Sequence, residues 1–177
     1  MFTDTLVRWL EGLSDVRDKG FIQACFSPLF DRQTSLCISS AGLDIKAGGS
    51  ALVKSGASAT LLLANGRLQS IASATDMAAL AGTVAADAFN VYCFFCDGGG
   101  TLTTLMGTAG ASLAAVKFPQ LPLGKAMIGF VIINPTGTGD FVGGTTPLDD
   151  ATVVPNAVYV NAQAGFDPNC LTGLVST

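Results

Sequence analysis

The sequence contains no histidine and few charged residues. Nine basic and thirteen acidic side chains give 22 formal charges in 177 residues, 12% of the chain, with a net charge of −4. A solitary globular domain usually carries about 25% charged residues, so this composition predicts that other chains cover much of the surface. The lack of histidine removes the commonest general base near neutral pH and the commonest metal-binding nitrogen. The composition therefore favours a component of an assembly over an enzyme.

The few charges are unevenly distributed. Seven of the 22 lie between Asp4 and Lys19, and no basic residue follows Lys125. Nucleic-acid binding requires clustered Lys and Arg to neutralise phosphates, so the acidic body is not expected to bind DNA or RNA. The longest uncharged run, residues 98–116, contains five glycines and is not expected to cross a membrane. The first residues mix both signs of charge and lack the pattern of a signal sequence.

The five cysteines are an odd number, so at least one cannot form a disulfide within the chain. Cys93 and Cys96 have the CxxC spacing of zinc and redox sites, but no second CxxC and no histidine could complete a zinc site. The flanking sequence FNVYCFFCD is typical of a β-strand, in which residues three apart point to opposite faces. Buried free thiols are therefore favoured over metal binding or redox cycling, and reducing assembly conditions fit them best. No metal ligand and no cofactor is predicted.

Residues 1–20 are predicted to form a helical arm that ends near residues 12–14 or frays toward Gly20. Thr3 or Asp4 is available as its N-cap. A helix of this length is marginal in water, so its apolar stripe requires a partner surface. Packing on the protein's own body and docking on a neighbouring chain both satisfy this requirement. The stripe, which is the predicted interface of the arm, consists of Phe2, Leu6, Trp9, Leu10 and Leu13.

Residues 21–177 are predicted to form a single β-rich domain with a β-sandwich or barrel-like body. Short β-favouring runs separated by Gly, Ser, Asn and Asp are typical of these folds. Asn65-Gly66 suits a two-residue type I′ hairpin, because both central positions require positive φ. The apolar run 127–133 should be covered on both faces. The predicted strands are 35–39, 51–54, 60–64, 67–71, 89–96, 101–106, 127–134 and 157–161.

The sequences of three further segments predict their local structure. Residues 97–100, DGGG, predict a turn between the aromatic strand and TLTTLM. Residues 76–80 are bounded by Thr75 and Gly82 and predict one or two helical turns. The two prolines of FPQLPL, residues 118–123, exclude a central strand and predict an extended connector.

Possible ligand-binding and catalytic motifs are incomplete. Gly124-Lys125 lacks the first glycine and the following hydroxyl residue of a phosphate-binding loop. Residues 137–139, GTG, lack the third glycine of a dinucleotide-binding motif. Asp140 with Asp149 and Asp150 could act as the paired carboxylates of a glycosidase, but PLDDAT is also typical of a solvated loop. The loop interpretation is favoured, and no catalytic residue is predicted.

The stretch 117–161, KFPQLPLGKAMIGFVIINPTGTGDFVGGTTPLDDATVVPNAVYVN, resembles a segment of tailed-bacteriophage virion structural proteins. The resemblance is strongest in LPLGKAMIGFVIINPTGTGDFVGGTT and extends more faintly to residues 81–97. It implies a β-rich virion component of the capsid decoration or cement type. It implies no catalytic residues.

The function implied by this resemblance is non-enzymatic. A head decoration protein would bind and stabilise the lattice of the major capsid protein. It would do so as a homotrimer seated at local threefold positions. It would lie on the capsid exterior of the virion after assembly in the host cytoplasm, with neither nucleic acid nor membrane as a partner. The alternative is a tail-associated fibre or receptor-binding module that contacts host glycans. A fibre should show sequence repeats or a β-helical period, and their lack favours decoration.

Overall fold

A computed structural model describes the backbone of residues 16–163 and the side chains of residues 20, 22, 24, 26, 27 and 30–163. Phe2, Leu6, Trp9, Leu10 and Leu13 lie outside the described residues, so the arm and its interface stay a prediction. Within the described range one helix is followed by eleven strands and a single 3-10 turn at Leu113–Ala115. None of the helices in that range is long and apolar enough to span a membrane.

The helix α1 (Val16–Thr34) crosses the arm boundary predicted at residue 20. Gly20 and Pro28 both lie inside it. Glycine in a helix interior costs about 1 kcal/mol relative to alanine, and proline removes one intrahelical hydrogen bond. These two residues explain why local propensity does not indicate a helix beyond residue 20. The segment that opens the predicted β-rich domain is therefore helical as far as Thr34.

The strands are short, apart from β7 and β9 in the centre of the largest sheet. All eight predicted strands are present, with bounds shifted by at most two residues. The two-residue strands β2, β6 and β10 were not predicted. The bounds are β1 (Leu36–Cys37), β2 (Asp44–Ile45), β3 (Val53–Lys54), β4 (Thr60–Ala64), β5 (Arg67–Ile71), β6 (Thr83–Val84), β7 (Asn90–Asp97), β8 (Leu102–Met106), β9 (Lys125–Ile133), β10 (Phe141–Val142) and β11 (Val158–Asn161).

The largest sheet has four antiparallel strands in the order β11-β9-β7-β8. Its two central strands are almost entirely buried, which confirms that the apolar run of β9 is covered on both faces. Gly129 in β9 permits the close approach of β11, because a Cβ at this position would clash with the Val160 carbonyl oxygen. The register between β7 and β9 shifts once, at a bulge between Phe94 and Phe95.

A second sheet has three antiparallel strands in the order β1-β4-β5, and its strands β1 and β4 contact β9 of the larger sheet. Two-residue pairs, β2 with β3 and β10 with β6, complete the strand pairing. The fold is mainly β, as predicted. All sheets in the described part of the chain are open, so the barrel-like alternative is wrong.

Two apolar cores lie on opposite faces of the four-stranded sheet. Tyr92, Phe94 and Cys96 belong to the first core, which also contains Leu62 of β4 and Ile128 of β9. The second core is smaller and is covered by the extended FPQLPL connector. Its buried members are Val91, Cys93, Phe95, Met127, Phe130 and Ala162, with Phe118 and Leu121 packed against them.

The predicted turn chemistry is confirmed. Asn65 and Gly66 have φ angles of 50° and 71°, as a type I′ hairpin requires. The 97–100 turn joins β7 to β8, where the Asp97 carboxylate accepts hydrogen bonds from the Gly99 and Thr101 N–H groups, both at 2.9 Å. These two donors stabilise the ionised form and lower the pKa of Asp97.

The helical turns predicted at residues 76–80 are wrong, because this segment contains a β-bridge and no helical turn. Asp76 forms a bridge with Lys54, and the Met77 N–H donates to the Val53 carbonyl at 2.8 Å. Both Met77 and Leu80 are buried in the first core. Pairing with β3 and burial of two side chains therefore override the local helix signal.

Phe130 provides a test of the double-sided burial of β9. Its side chain is 1% exposed and packs edge-on against Phe118, with ring centroids 5.0 Å apart. Phe130→Ala should lower the free energy of unfolding by about 3–5 kcal/mol, since it leaves a large cavity in the second core. Urea denaturation measures this loss. Val142→Ala, at a site 41% exposed, is the control and should change stability by about 0.5 kcal/mol at most. A loss below about 1 kcal/mol for Phe130→Ala would contradict the assigned burial.

Candidate functional site

The three aspartates that could form a glycosidase pair are instead bonded to separate backbone segments. The Asp140 carboxylate accepts the Ala86 N–H at 2.9 Å. Asp149 accepts the Gly49 N–H with both oxygens, at 3.0 and 2.9 Å. Asp150 accepts the N–H groups of the two residues that follow Ala151, at 2.8 and 3.1 Å. Each carboxylate therefore holds a loop in place, which supports the loop interpretation.

Cys93 and Cys96 lie on opposite faces of β7, as the strand pattern predicts. Cys93 is in the second core and Cys96 is in the first. Cys37 of β1 is buried in the first core and donates to the Ser39 carbonyl at 3.0 Å. Burial raises the pKa of Cys37 to about 11 and also raises the pKa values of Cys93 and Cys96. These thiols pack as small apolar groups, and no cluster of potential metal ligands occurs among the described residues.

One cavity of about 190 Å³ lies beside β5 and β8. Ligand pockets usually have volumes of about 300–1,000 Å³, so this space is small. Its only titratable side chain is Cys96, whose raised pKa disfavours the thiolate. The lining residues are Gln69, Ser70, Ile71, Ala72, Thr75, Cys96, Gly100 and Leu102. This lining offers no pair of groups for acid–base catalysis.

The C-terminal end of α1 is attached to the sheets by a set of hydrogen bonds that we call the helix junction. The Asp31 carboxylate accepts the Gly124 N–H at 2.8 Å and the Ser35 hydroxyl at 3.2 Å. Ser35 Oγ in turn accepts the Asn65 N–H at 3.1 Å. The junction thereby links α1 to the β4–β5 hairpin and to the turn before β9.

The same hairpin contributes a second bond to the junction. The Gly66 N–H donates to the Thr34 carbonyl at 2.9 Å, which satisfies one of the carbonyl groups left open at the helix end. Gly66 is also one of the two residues of the hairpin turn that have positive φ. The type I′ turn therefore acts both as a hairpin connection and as a cap for α1.

The three most exposed large apolar side chains of the described residues lie next to the helix junction. Phe30 is 63% exposed and precedes Asp31. Leu123 is 68% exposed and precedes Gly124, while Leu68 of β5 is 65% exposed and follows the Asn65-Gly66 turn. Single exposed apolar residues are common, but apolar surface concentrated at one place marks an interaction site. We call Phe30, Leu68 and Leu123 the apolar rim.

The outer face of the three-stranded sheet continues the apolar rim. Leu36, Leu63 and Leu68 face one another across the three strands. Leu61 and Ile38 are 42% and 46% exposed. The inner face carries the buried Leu62, so strand alternation places Leu61 and Leu63 outside. This outer surface, formed by Leu36, Ile38, Leu61, Leu63 and Leu68, is called the leucine face.

The apolar rim and the leucine face were not identified from the sequence. The signal for the leucine face was present in TLLLA, because three consecutive leucines must place apolar groups on both sides of a strand. Nothing in the sequence indicates that Phe30 and Leu123 meet the same junction. Comparisons of the chain with protein-family models, curated proteins and solved structures found no match.

The buried thiols lead to a prediction about chemical reactivity. Cys37, Cys93 and Cys96 should resist alkylation in the native protein and react only after unfolding, because burial and raised pKa values suppress their thiolates. Peptide mass spectrometry after iodoacetamide treatment, with and without urea, measures each site separately. Rapid native labelling of Cys93 or Cys96 would contradict the assignment of these thiols to the cores.

Tyr92 is a buried titratable group of the first core. Its ring packs edge-on against Phe141 at 5.9 Å, and its hydroxyl donates to the Gly82 carbonyl at 3.3 Å. Burial raises the pKa of Tyr92 to about 12, from an ordinary value of 10.0. The folded protein therefore retains a proton that the unfolded chain loses.

This difference predicts loss of stability in alkali. Between pH 10.0 and about 12, unfolding releases the Tyr92 proton, so the free energy of unfolding should fall as the pH rises across this window. Below pH 10.0 the ionisation of Tyr92 should not change the free energy of unfolding. Urea midpoints measured across the window give the slope. The free energy of unfolding of the Tyr92→Phe variant should fall less steeply with pH, whatever its value at neutral pH. Tyr159→Phe tests the other tyrosine, whose pKa burial also raises to about 12. Equal slopes for Tyr92→Phe and the unmodified protein would refute the shift.

Proposed function

We propose that the protein is a non-enzymatic virion structural protein that decorates a bacteriophage head and stabilises the lattice of its major capsid protein. The observation that supports this proposal best is the apolar rim, with the leucine face beside it. The resemblance of residues 117–161 to tailed-phage virion proteins supplies the class of assembly. In this proposal, the protein lies on the capsid exterior, and its two main sheets form the layers of a β-sandwich.

The apolar rim suits a protein partner better than a small molecule. Its side chains come from a helix, a strand and a turn, and they project from the surface instead of lining a cavity. Interface centres are depleted of charge and rich in apolar groups, and an interface of standard size buries about 800 Å² on each partner. Addition of the leucine face extends the apolar area around the rim. The major capsid protein is the partner we propose for this surface.

Self-association as a homotrimer is part of the proposal. Val158 is 48% exposed on β11, which is an edge strand of the four-stranded sheet. An exposed edge with an apolar side chain is suited to contact another copy. β11 is in the four-stranded sheet, whereas the leucine face is on the three-stranded sheet. The β11 edge can therefore bind sister chains while the leucine face and the apolar rim bind the coat.

We propose that the protein has no enzymatic activity, because its loop carboxylates and buried thiols take part in folding contacts. Asp140, Asp149 and Asp150 are engaged by backbone N–H groups. The buried thiols have raised pKa values, which disfavours nucleophilic chemistry. The described residues thus use their reactive side chains for folding, as a structural protein does.

Binding to phage particles tests the proposal. Particles lacking the protein are mixed with purified protein, and bound protein and the temperature of genome release are measured. The unmodified protein should bind and raise the release temperature. The double variant Leu68→Asp, Leu123→Asp should bind at least about thirtyfold more weakly, the equivalent of the 2 kcal/mol of an interface hot spot. Val142→Asp, at an exposed apolar site outside the rim, is the matched control and should bind normally.

Each contrary result has a distinct meaning. If particles gain no heat stability but adsorption to the host changes, the protein belongs to the tail and the fibre alternative replaces decoration. If Val142→Asp binds as weakly as the rim variant, the rim is not the capsid contact. Sizing of the purified protein accompanies the assay, since a homotrimer has three times the chain mass of 18.0 kDa.

A further inference from the structure

The β4–β5 hairpin carries a chemically reactive dipeptide at its tip. Asn65-Gly66 is the only Asn-Gly sequence in the chain, and both residues are exposed. An asparagine side-chain amide is attacked most readily when glycine follows it, because glycine has no Cβ to shield its backbone nitrogen. The turn that connects the two strands is therefore also a candidate site of covalent modification.

The reaction open to this dipeptide is deamidation. The Gly66 backbone nitrogen loses its proton to solvent and attacks Asn65 Cγ. The new N–Cγ bond forms as the Cγ–Nδ2 bond breaks, and the side-chain nitrogen takes up a proton and leaves as ammonia. Water then opens the cyclic succinimide at either carbonyl, which gives aspartate or isoaspartate. The reaction consumes water and releases ammonia, and no electron is transferred.

The helix junction holds the nucleophile of this reaction. The Gly66 N–H donates to the Thr34 carbonyl at 2.9 Å, and the Asn65 N–H donates to Ser35 Oγ at 3.1 Å. Two successive backbone groups of the turn are thereby fixed to the end of α1. As in amide hydrogen exchange, a hydrogen-bonded N–H has to open before it loses its proton. Deamidation of the folded protein should therefore require the junction to open.

Asp31 keeps the junction closed. Its carboxylate accepts the Ser35 hydroxyl at 3.2 Å and the Gly124 N–H at 2.8 Å. Because the Ser35 hydroxyl donates to Asp31, the Ser35 oxygen remains able to accept the Asn65 N–H. Hydrogen bonds to an ionised group are stronger than those between neutral groups. Loss of the Asp31 carboxylate should therefore raise the population of the open junction.

The products of the reaction fit the closed junction less well than asparagine does. A Cβ at Gly124 would lie 3.7 Å from Asn65 Cβ and 3.8 Å from Asn65 Cγ, so the Asn65 side chain is next to Gly124. A carboxylate at position 65 therefore adds a negative charge beside the residue whose N–H is bonded to Asp31, and like charges repel. Isoaspartate also inserts a carbon atom into the main chain of the turn, which changes the geometry that brings the Gly66 N–H to Thr34.

We propose that Asn65 is a deamidation site, that the closed helix junction holds its reaction back, and that the reaction then keeps the junction open. The Asn65-Gly66 turn is in this sense a one-way switch. Its reaction releases the C-terminal end of α1 from the hairpin, while the four-stranded sheet, which does not contain the turn, stays folded. The proposal does not rest on a virion function.

Peptide mass spectrometry of the purified protein, incubated in mildly alkaline buffer, measures the rate at Asn65. The folded protein should react at least about tenfold more slowly than the urea-unfolded chain, because its junction must open first. Asp31→Ala should speed the reaction of the folded protein at least about tenfold, since hydrogen bonds to a charged group are lost. Asp149→Ala removes a loop carboxylate bonded to Gly49 and is the matched control, with an unchanged rate.

Two further measurements keep this test decisive. In urea all variants should react at the same rate, and a retained β signal in circular dichroism shows that a variant is folded without urea. If Asp31→Ala does not fold, Ser35→Ala replaces it, because that change removes the acceptor of the Asn65 N–H. Equal rates for the folded and unfolded chain, or an unchanged rate in the folded junction variant, would overturn the proposal.

Hydrogen exchange of the Gly66 amide, measured by NMR, tests the effect of the product. Aspartate suits a type I′ turn as asparagine does, so Asn65→Asp changes mainly the charge. Its Gly66 amide should exchange faster than in the unmodified protein, because the added carboxylate favours the open junction. Exchange as slow as in the unmodified protein would show that the junction tolerates the product charge and would overturn the switch. These experiments use no phage particles, so failure here and failure of the proposed function are distinguishable.

Discussion

The pairing of β7 with β9 is the contact on which the rest of the structure depends. Both strands are buried on both faces, so each supplies side chains to two cores and fixes the separation between them. Gly129 admits β11 on one side, and the bulge at Phe94 and Phe95 adjusts the register on the other. The three-stranded sheet then covers one face, and the proline-containing connector covers the second.

The hydrogen bonds of the helix junction connect α1 to the two main sheets. Asp31 bonds to the Gly124 N–H immediately before β9, and Thr34 and Ser35 bond to the β4–β5 turn. One end of the helix is thus fixed to both main sheets. The exposed Phe30, Leu68 and Leu123 are brought to a single region by these bonds, since the three belong to elements far apart in sequence. The proposed interaction surface is therefore a consequence of tertiary hydrogen bonds.

The sequence predicted features that depend on nearby residues. β-favouring runs between turn residues located eight of the eleven described strands, Asn65-Gly66 identified its turn, and strand geometry separated Cys93 from Cys96. Features that depend on distant residues were missed or wrong. Strand β10 exists through pairing with β6, residues 76–80 are not helical because Asp76 and Met77 bind β3, and α1 persists through Gly20 and Pro28. The apolar rim belongs to this second group, because no local pattern relates Phe30 to Leu123.

The structure shows how several of the few charged side chains are used. Asp31, Asp97, Asp140, Asp149 and Asp150 all accept backbone N–H groups, so these carboxylates are used to hold loops and the helix end. Such bonds leave fewer charges to cover the surface with hydrated groups. Charged residues also flank the apolar rim, since Asp31 and Arg32 follow Phe30 and Arg67 precedes Leu68. An apolar centre with charged residues at its edge is the composition of a protein interface, and this is the composition on which the proposed contact with another chain depends.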